Sequence, residues 1–396
     1  MSKLTIGQLD LAKRRVFVRA DLNAPLEHGT VTDDTRLRAV VPTIQYALKA
    51  GASVVLASHL GRPKGKVAPE FSLRPIAEHL TSLLDQRVEL APDCIGDATL
   101  ARARALSAGQ VLLLENLRFH PEEEANDDAF ARALAALADC YVDDAFAAAH
   151  RAHASIAAIT KHLQPAAAGL LMQQELAALG RILESPEKPL VAILGGAKVS
   201  DKITLVEHLL DRVDSLLVGG GMAFTFLASL GHAVGRSLVE ADQLETARRT
   251  LDAARRRGVS LVLPVDAVVA DGLDSKQGRQ VGIREIPAGQ MGLDIGPRTV
   301  ERFTKALTSA RTIVWNGPMG VFEKAPFAEG TLALAKAVAG SPAFTVIGGG
   351  DTVAAVTQAG VADQIGYIST AGGAFLEFLE GKTLPAVAIL ESRASG

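Results

Sequence analysis

Short, uninterrupted apolar runs recur along the chain, and segments with helical spacing lie between them. The runs include VFVRA, VVLAS and VLLLEN before residue 150, and LVAIL, LLVGG, LVLPVDA and TVIGG after residue 189. Continuous hydrophobicity, in place of strict alternation, is typical of parallel strands that are covered on both faces. Segments such as LRPIAEHLTSLL and KITLVEHLLDRV supply the helices. The pattern therefore predicts an α/β fold built from βαβ units.

The residues that follow the predicted strands differ between the two halves of the chain. In the first half they carry charge and imidazole, as in RADLN, SHLGRPKG and ENLRFHPEEE. In the second half they carry glycine, as in GGAKVSDK, NGPMG and GGGDT. Ligands of open α/β sheets bind outside the carboxyl ends of the strands. We therefore predict two Rossmann-like, three-layer αβα domains with mainly parallel sheets, which bind different ligands.

The predicted join between the domains is the segment 169–188. Its apolar residues lie close to a helical stripe, and prolines at 186 and 189 end the pattern. This places an N-terminal domain at 1–168 and a C-terminal domain at 189–380. A helix that links two lobes is a reasonable hinge, and an ordinary amphipathic core helix fits the same pattern equally well.

Composition narrows the class of protein. A chain of 396 residues with 48% hydrophobic residues can bury sizeable cores, and a net charge of −3 argues against a general nucleic-acid or membrane-surface binder. Only two cysteines are present, Cys94 and Cys140, and neither has a metal-ligand spacing. There is no long apolar run of a signal peptide or a membrane span. We expect a cytoplasmic protein with no nucleic-acid or membrane partner.

In the first half, cationic and polar side chains recur at five strand-end regions, and this recurrence predicts an anion site. An arginine offers a planar fork for phosphate or carboxylate. A single such loop would more often be a solvated surface turn, but scattered surface charge would not favour strand ends. A metal site at His150 and His153 is disfavoured by the arginine between them, and PEEEANDD (121–128) is expected to be a solvated loop and helix start. The candidate residues are Asp21, Asn23, Arg36, His59, Arg62, Arg118 and Arg151.

In the second half, glycine-rich turns predict a phosphate site, although the pattern GxxxxGK[ST] is absent. Lys198 and Lys202 have i, i+4 spacing, so early in a helix both would point toward one phosphate chain, and two exposed helix lysines are the plain alternative. Asp351 is placed to hold a divalent cation. The remaining candidates are Asn316, Glu323, Gly349, Gly350, Thr352, Gly372 and Gly373.

Seven motifs together resemble the phosphoglycerate kinase family, in the family's order and over about 320 residues. They are ASHLGRPKG, LLENLRFHPEEE, DAFAAAHRAH, GGAKVSDKI, WNGPMGVFE, GGGDT and STAGGAFLEFLEGK. The resemblance implies transfer of a phosphoryl group between 1,3-bisphosphoglycerate and ADP, with Mg²⁺. It also implies two α/β domains facing a cleft, with the extreme C-terminus, about 381–396, packed on the N-terminal domain.

The resemblance also implies roles for the candidate residues. The first-half set would bind 3-phosphoglycerate, and the nucleotide would be bound by Lys202, Asn316, Glu323 and the segment 349–352, with Asp351 toward Mg²⁺. Phosphoryl transfer demands alignment and charge compensation, which Arg36, Lys198, Gly372 and Gly373 would supply. The acceptor carboxylate is already a nucleophile, so we expect no general base and no phosphoenzyme. Hinge closure would bring the ligands together.

Two alternatives belong to other functional classes. A nicotinamide dehydrogenase would need GxGxxG after an early strand, whereas the first strand leads into ADLNAPLEHGT. A nucleotide- or metabolite-binding clamp without catalysis would lack reacting groups, and every such group is present. We expect an enzyme with small-molecule substrates that acts as a monomer.

Overall fold

The fold divides into two compact units. The computed structural model describes residues 3–394, and side chains as far as residue 391. One unit comprises Met1–Ala177 and Thr383–Gly396, and the other comprises Ala178–Lys382. The N-terminal limit of the predicted first domain and the last two residues of the predicted C-terminal tail lie outside the described residues.

Unit 1 is built on a wholly parallel sheet of six strands. Its spatial order is β5-β6-β4-β1-β7-β8, and β2 and β3 form a separate two-stranded hairpin. The strands are β1 (Arg15–Arg19), β2 (Leu26–Glu27), β3 (Thr30–Val31), β4 (Ser53–Ala57), β5 (Val88–Leu90), β6 (Val111–Leu113), β7 (Cys140–Asp143) and β8 (Ala166–Ala168).

Helices connect these strands and bury apolar stripes against them. Leu37, Val40 and Ile44 of the first helix pack in the same core as Val16, Val18, Val54 and Leu56 of the sheet. The helices are α1 (Thr35–Lys49), α2 (Arg74–Leu84), α3 (Asp97–Ala105), α4 (Pro121–Glu124), α5 (Asp128–Ala135) and α6 (Leu170–Leu183). The boundary between the units, after Ala177, falls within α6.

Unit 2 has a second parallel sheet of six strands and a small antiparallel sheet. The parallel sheet has the order β11-β10-β9-β15-β16-β17, and the antiparallel sheet has the order β13-β12-β14. The strands are β9 (Leu190–Leu194), β10 (Ser215–Val218), β11 (Ser260–Val262), β12 (Asp266–Ala270), β13 (Arg279–Gly282), β14 (Met291–Ile295), β15 (Thr312–Asn316), β16 (Phe344–Ile347) and β17 (Tyr367–Ile368).

The helices of unit 2 cover its sheets, and a last helix belongs to unit 1. The core joins Trp315 and Ile193 of the central strands to Phe303 and Leu334 of two helices. The helices are α7 (Ile203–Leu209), α8 (Met222–Ser229), α9 (Leu244–Arg256), α10 (Pro297–Leu307), α11 (Glu329–Ala339), α12 (Gly350–Gln358), α13 (Gly373–Leu379) and α14 (Pro385–Ala394). The amide of Ala386, in α14, donates a hydrogen bond of 3.1 Å to the carbonyl oxygen of Ala149 in unit 1.

These observations confirm the predicted α/β class with two parallel sheets. One strand differs from its prediction, because LVLPVDA is divided into the end of β11 and the start of β12, which lie in different sheets. Pro264 stands between them, and a proline lacks the N–H that would continue the ladder. Over residues 3–394, no helix has both the length and the hydrophobicity needed to cross a bilayer.

Candidate active site

In unit 1, three loops that follow parallel strands are tied together at Gly61. The side chain of Asn23, after β1, accepts a hydrogen bond of 2.8 Å from the Gly61 amide. The guanidinium of Arg118, after β6, donates a bond of 2.8 Å to the Gly61 carbonyl oxygen. Because parallel strands end at one edge of the sheet, the loops after β1, β4 and β6 meet there. The structure therefore brings the side chains of Asn23 and Arg118 to the same loop.

Arg36 and Asp21 form a charged pair at the same edge. Arg36 lies in the first turn of α1, and its Nη1 atom lies 2.7 Å from Oδ2 of Asp21. The Asp21 side chain is 7% exposed, whereas that of Arg36 is 37% exposed. A buried carboxylate beside a half-exposed guanidinium fixes the direction of the guanidinium and leaves its other N–H groups accessible. Asp21 thus orients Arg36 in this structure.

Arg19 is a buried cation at this edge that the sequence reading missed. It is 1% exposed, its Nε atom donates to Ser155 Oγ at 2.8 Å, and its Nη2 atom lies 3.3 Å from His59 Nδ1. The sequence does indicate a special role for Arg19, because it is a charged residue at the end of the apolar run VFVR in a central strand. A cation in such a place usually has a specific partner.

The prediction of a solvated loop and helix start at 121–128 is wrong at Glu123. Its side chain is fully buried and accepts hydrogen bonds from Ser155 N at 2.9 Å and Ser155 Oγ at 2.6 Å. Since Ser155 also accepts from Arg19, the carboxylate and the guanidinium share one serine. Burial raises the pKa of Glu123, and the charge of Arg19 opposes that rise. Glu123 is therefore linked to the buried Arg19 through Ser155.

Two histidines near these arginines, His59 and His153, are neutral. Burial first, and then Arg19, Arg118 and Arg151, lower the pKa of His153 to about 3. Burial first, and then the same three arginines, hold the pKa of His59 well below its ordinary value. A histidine that does not take a proton at pH 7 can still donate one N–H to an anion. The positive charge of the site therefore comes from its arginines.

Among the described residues, Arg151 and Arg62 have no hydrogen bond or ion pair with the other predicted anion-binding residues. Arg151 is half-buried, and its Nε atom donates to His150 Nε2 at 3.2 Å. Arg62 is exposed, and within residues 3–394 it has no polar partner. Both lie in unit 1 with Arg36 and Arg118.

In unit 2, the side chains of Lys202 and Asn316 are hydrogen-bonded at the carboxyl ends of the two central strands, β9 and β15. Lys202 follows β9 and Asn316 ends β15, and the Lys202 ammonium donates to both oxygens of Asn316, at 3.1 Å for the carbonyl oxygen. Strand order runs outward in opposite directions from β9 and β15, so this is the switch point where ligands bind. Burial lowers the pKa of Lys202 to about 8, against the opposing charges of Asp351 and Asp201.

The expectation that Lys198 and Lys202 share the start of one helix is wrong. Helix α7 begins at Ile203, Lys202 precedes it, and Lys198 lies exposed in the turn before. The carboxylate of Glu240 accepts hydrogen bonds from the amides of Val199 and Ser200, at 2.6 and 3.1 Å, and so holds this turn. Among the described residues, Lys198 has no polar partner, so its ammonium is available to a ligand.

Glycines near the strand ends of unit 2 differ in the space that is available for a side chain. At Gly195 an added Cβ would lie 2.1 Å from the carbonyl oxygen of Pro318, so this glycine lets two loops cross. Gly350 and Gly372, in contrast, have open space where a side chain would be. Gly372 caps α13, which begins at Gly373, and Gly350 is the first residue of α12. Gly195 therefore serves the packing of the chain, whereas nothing fills the space beside the backbone at Gly350 and Gly372.

The segment 349–352 is held in place by contacts with the residues at the end of β15. Gly349 has φ +95°, which favours glycine, and an added Cβ would lie 2.6 Å from the Asn316 side-chain nitrogen. The Thr352 hydroxyl accepts a bond of 2.7 Å from the Gly317 amide. The loops after β15 and β16 are thereby locked to each other, with Asp351 exposed on the first turn of α12.

A cavity of about 480 Å³ lies beside this turn and contains groups that no sequence motif indicated. Leu238 and Leu273 are large hydrophobic residues that are nearly half exposed there. Glu323 and Asp351 also line this cavity, and neither has a polar partner within the described part of the chain. The apolar lining also includes Phe224, Met291, Leu293, Met319 and Val321. A flat apolar ring with polar substituents fits such a cavity.

These groups also fit a magnesium ion that is bound with a phosphate chain. Mg²⁺ takes oxygen ligands and commonly uses one or two carboxylates together with substrate phosphates. The unpaired carboxylate of Asp351 lies on the cavity wall, and Lys202, whose pKa responds to its charge, lies nearby. A single free carboxylate is sufficient for a magnesium ion whose other ligands come from the phosphates of the bound molecule.

Comparison with known proteins places the chain clearly. A family model described as phosphoglycerate kinase matches residues 6–382. A phosphoglycerate kinase from Acidobacterium capsulatum is 57% identical over 99% of this chain and 100% of its own, and one from Moorella thermoacetica is 56% identical over the same shares. The phosphoglycerate kinase structure from Coxiella burnetii is similar, with a TM-score of 0.92, 47% identity and coverage of 99% of this chain and 100% of that one.

We predict that the pKa of His153 reports the charge of the arginines. Replacing Arg151→Met removes one of its cationic neighbours, so the pKa should rise from about 3 yet stay below about 6.5, because burial is the larger cause. The measurement is an NMR titration of the histidine ring signals. Arg15→Met is the matched control, since Arg15 pairs with Asp139 and is not among the causes.

An unchanged pKa of His153 in Arg151→Met would contradict this electrostatic account.

The depressed pKa of His153 also determines how this group changes the stability of the fold with pH. Between about pH 3 and about pH 6.5 the unfolded chain binds more protons at His153 than the folded chain does. The contribution of this group to stability therefore falls as the pH falls through that window.

Proposed function

Because the chain belongs to the phosphoglycerate kinase family, we propose that unit 1 binds 3-phosphoglycerate and that unit 2 binds the magnesium nucleotide. The family match confirms the expectation of an enzyme, a phosphotransferase of glycolysis with a carboxyl group as acceptor. Its reaction is the reversible transfer of a phosphoryl group between 1,3-bisphosphoglycerate and ADP. A nicotinamide dehydrogenase and a clamp without catalysis are thereby set aside.

The observation that carries the acceptor assignment is the concentration of arginines at one sheet edge. Arg36 is half-exposed and oriented by Asp21, Arg118 is anchored on Gly61, and Arg151 acts on both neutral histidines. A phosphate and a carboxylate on a three-carbon chain are two anions that guanidinium groups bind well. We assign Asn23, His59 and Arg62 to the same ligand, as polar and cationic groups of the loops that meet there.

The nucleotide assignment rests on the switch point of the second sheet and its cavity. The apolar cavity accepts the base, and Glu323 on its wall accepts a ribose hydroxyl. Lys202, Asn316 and the backbone of 349–352 lie at the carboxyl ends of β9, β15 and β16, where phosphates would lie. Asp351 would hold Mg²⁺, and the ion would compensate charge on the nucleotide phosphates.

In this proposal the protein supplies position and charge and does not take up the phosphoryl group. Arg36 from unit 1, and Lys198 with the Gly372 and Gly373 backbone from unit 2, would surround the group during an in-line transfer. The acceptor carboxylate needs no base. Ligands held by separate units must be brought together, so we propose that α6, which contains the boundary between the units, acts as the hinge.

We propose a monomeric, cytoplasmic enzyme with small-molecule substrates only. Each unit has its own core and its own ligand groups, so no second copy is needed to complete either site. Both cysteines, Cys94 and Cys140, are buried free thiols, which suits a reducing compartment.

We predict that Arg36→Ala lowers the rate of transfer by about 10²–10³-fold, because it removes a preorganised charge from the reacting group. The assay couples ADP and 1,3-bisphosphoglycerate turnover, with circular dichroism as the check of folding. Arg38→Ala is the control, because Arg38 lies on the same helix and pairs with Asp34 on the exposed surface. A folded Arg36→Ala enzyme with normal turnover would exclude Arg36 from the reacting centre.

We predict that Asp351→Ala weakens the binding of the magnesium nucleotide. The Mg²⁺ concentration for half-maximal ADP binding should rise by about ten- to hundredfold, the range found when groups that support a metal are removed. Asp363→Ala removes an exposed carboxylate of the same unit that lies outside the cavity, and should bind as the wild type does. A magnesium titration of Asp351→Ala that matches the wild type would refute the assignment.

A further inference from the structure

Three side chains of different chemistry converge in unit 1 outside the groups assigned above. Asp93 and Cys94 lie in the loop after β5, and His120 lies immediately before α4. One ligand atom from each, a carboxylate oxygen, a sulfur and an imidazole nitrogen, lie within 4.8 Å of one another. The cysteine and the histidine are 26 residues apart in the sequence, so no short motif indicates the group.

We propose that Asp93, Cys94 and His120 form a binding site for a thiophilic divalent cation such as Zn²⁺. Thiolate, imidazole and carboxylate are the ligands that zinc selects, and three protein ligands leave a fourth position for water. Mg²⁺, which prefers oxygen ligands, is not suited to this set. The site is separate from the proposed magnesium position, because Asp351 belongs to the other unit. It does not depend on the proposed ligand assignments.

The nitrogen–oxygen distance requires a small adjustment, and the Cys94 sulfur, which lies within 4.8 Å of both atoms, would move closer to them. Zinc bonds of about 2.0–2.3 Å with tetrahedral angles place ligand atoms about 3.3–3.6 Å apart. His120 Nε2 and Asp93 Oδ1 lie 2.8 Å apart in a hydrogen bond. In the metal-bound form the neutral ring would carry its proton on Nδ1, and the ion would separate the two atoms by about half an ångström. The His120 ring is supported by Phe130, at a centroid distance of 5.3 Å, which limits its alternative orientations.

Exposure and charge are consistent with an ion that enters from one side. The Asp93 and His120 side chains are 45% and 24% exposed, whereas Cys94 is fully buried behind them. The Asp93 carboxylate supplies negative charge to the ion, and the Cys94 thiol would release its proton to solvent as the metal–sulfur bond forms.

The test is a titration of the metal-free full chain with Co²⁺, followed by its thiolate-to-metal charge-transfer absorption. We expect one equivalent to produce the band, and Zn²⁺, but not excess Mg²⁺, to abolish it. Cys140→Ser is the matched control, because Cys140 is the other buried cysteine and belongs to no such cluster in the described residues. It should keep the band, whereas Cys94→Ser should lose it.

His120→Asn separates a metal site from a lone reactive thiol. This variant should weaken Co²⁺ binding by about tenfold or more while the thermal melt by circular dichroism shows that it is folded. Absence of the band in the wild type would overturn the proposal. A band that persists in Cys94→Ser, or unchanged Co²⁺ affinity in a folded His120→Asn protein, would overturn it as well.

Discussion

Parallel pairing of strands is the constraint on which both sites depend. All neighbours in each six-stranded sheet are parallel, so every strand ends at the same edge and sends its next residues there. In unit 1 this gathers Asn23, His59 and Arg118 from loops that are far apart in the sequence. In unit 2 it gathers Lys202 and Asn316 at the switch point. Positive charge and open backbone are thus concentrated without any local motif that spans the site.

Concentrating arginines at one edge costs free energy unless anionic groups or a ligand compensate the charge. The structure offsets part of that cost with buried carboxylates: Asp21 pairs with Arg36, and Glu123 shares Ser155 with Arg19. The two histidines stay neutral and so add no further repulsion. The remaining positive charge is what a phosphorylated acid would neutralise. In this view the buried acids keep the site folded while the substrate is absent.

Several features of the fold and the sites were predictable from the sequence because they depend on local pattern. Continuous apolar runs predicted the parallel strands, and the charges and glycines after them predicted the two kinds of strand end. The missed features depend on distant residues. Glu240 holds the turn at Lys198 from 40 residues away, and Leu238 and Leu273 reach the cavity from separate loops. Glu123 looked solvated because nothing in PEEE shows that Ser155 covers it.

Hydrogen exchange of the full chain with each ligand alone tests the division of ligands between the units most directly. 3-Phosphoglycerate alone should slow exchange most in the peptides around residues 59–62 and 116–120 of unit 1. ADP with Mg²⁺ should slow it most around residues 196–202 and 349–352 of unit 2. If both ligands gave their largest protection in the same unit, the proposed separation of acceptor and nucleotide would be contradicted.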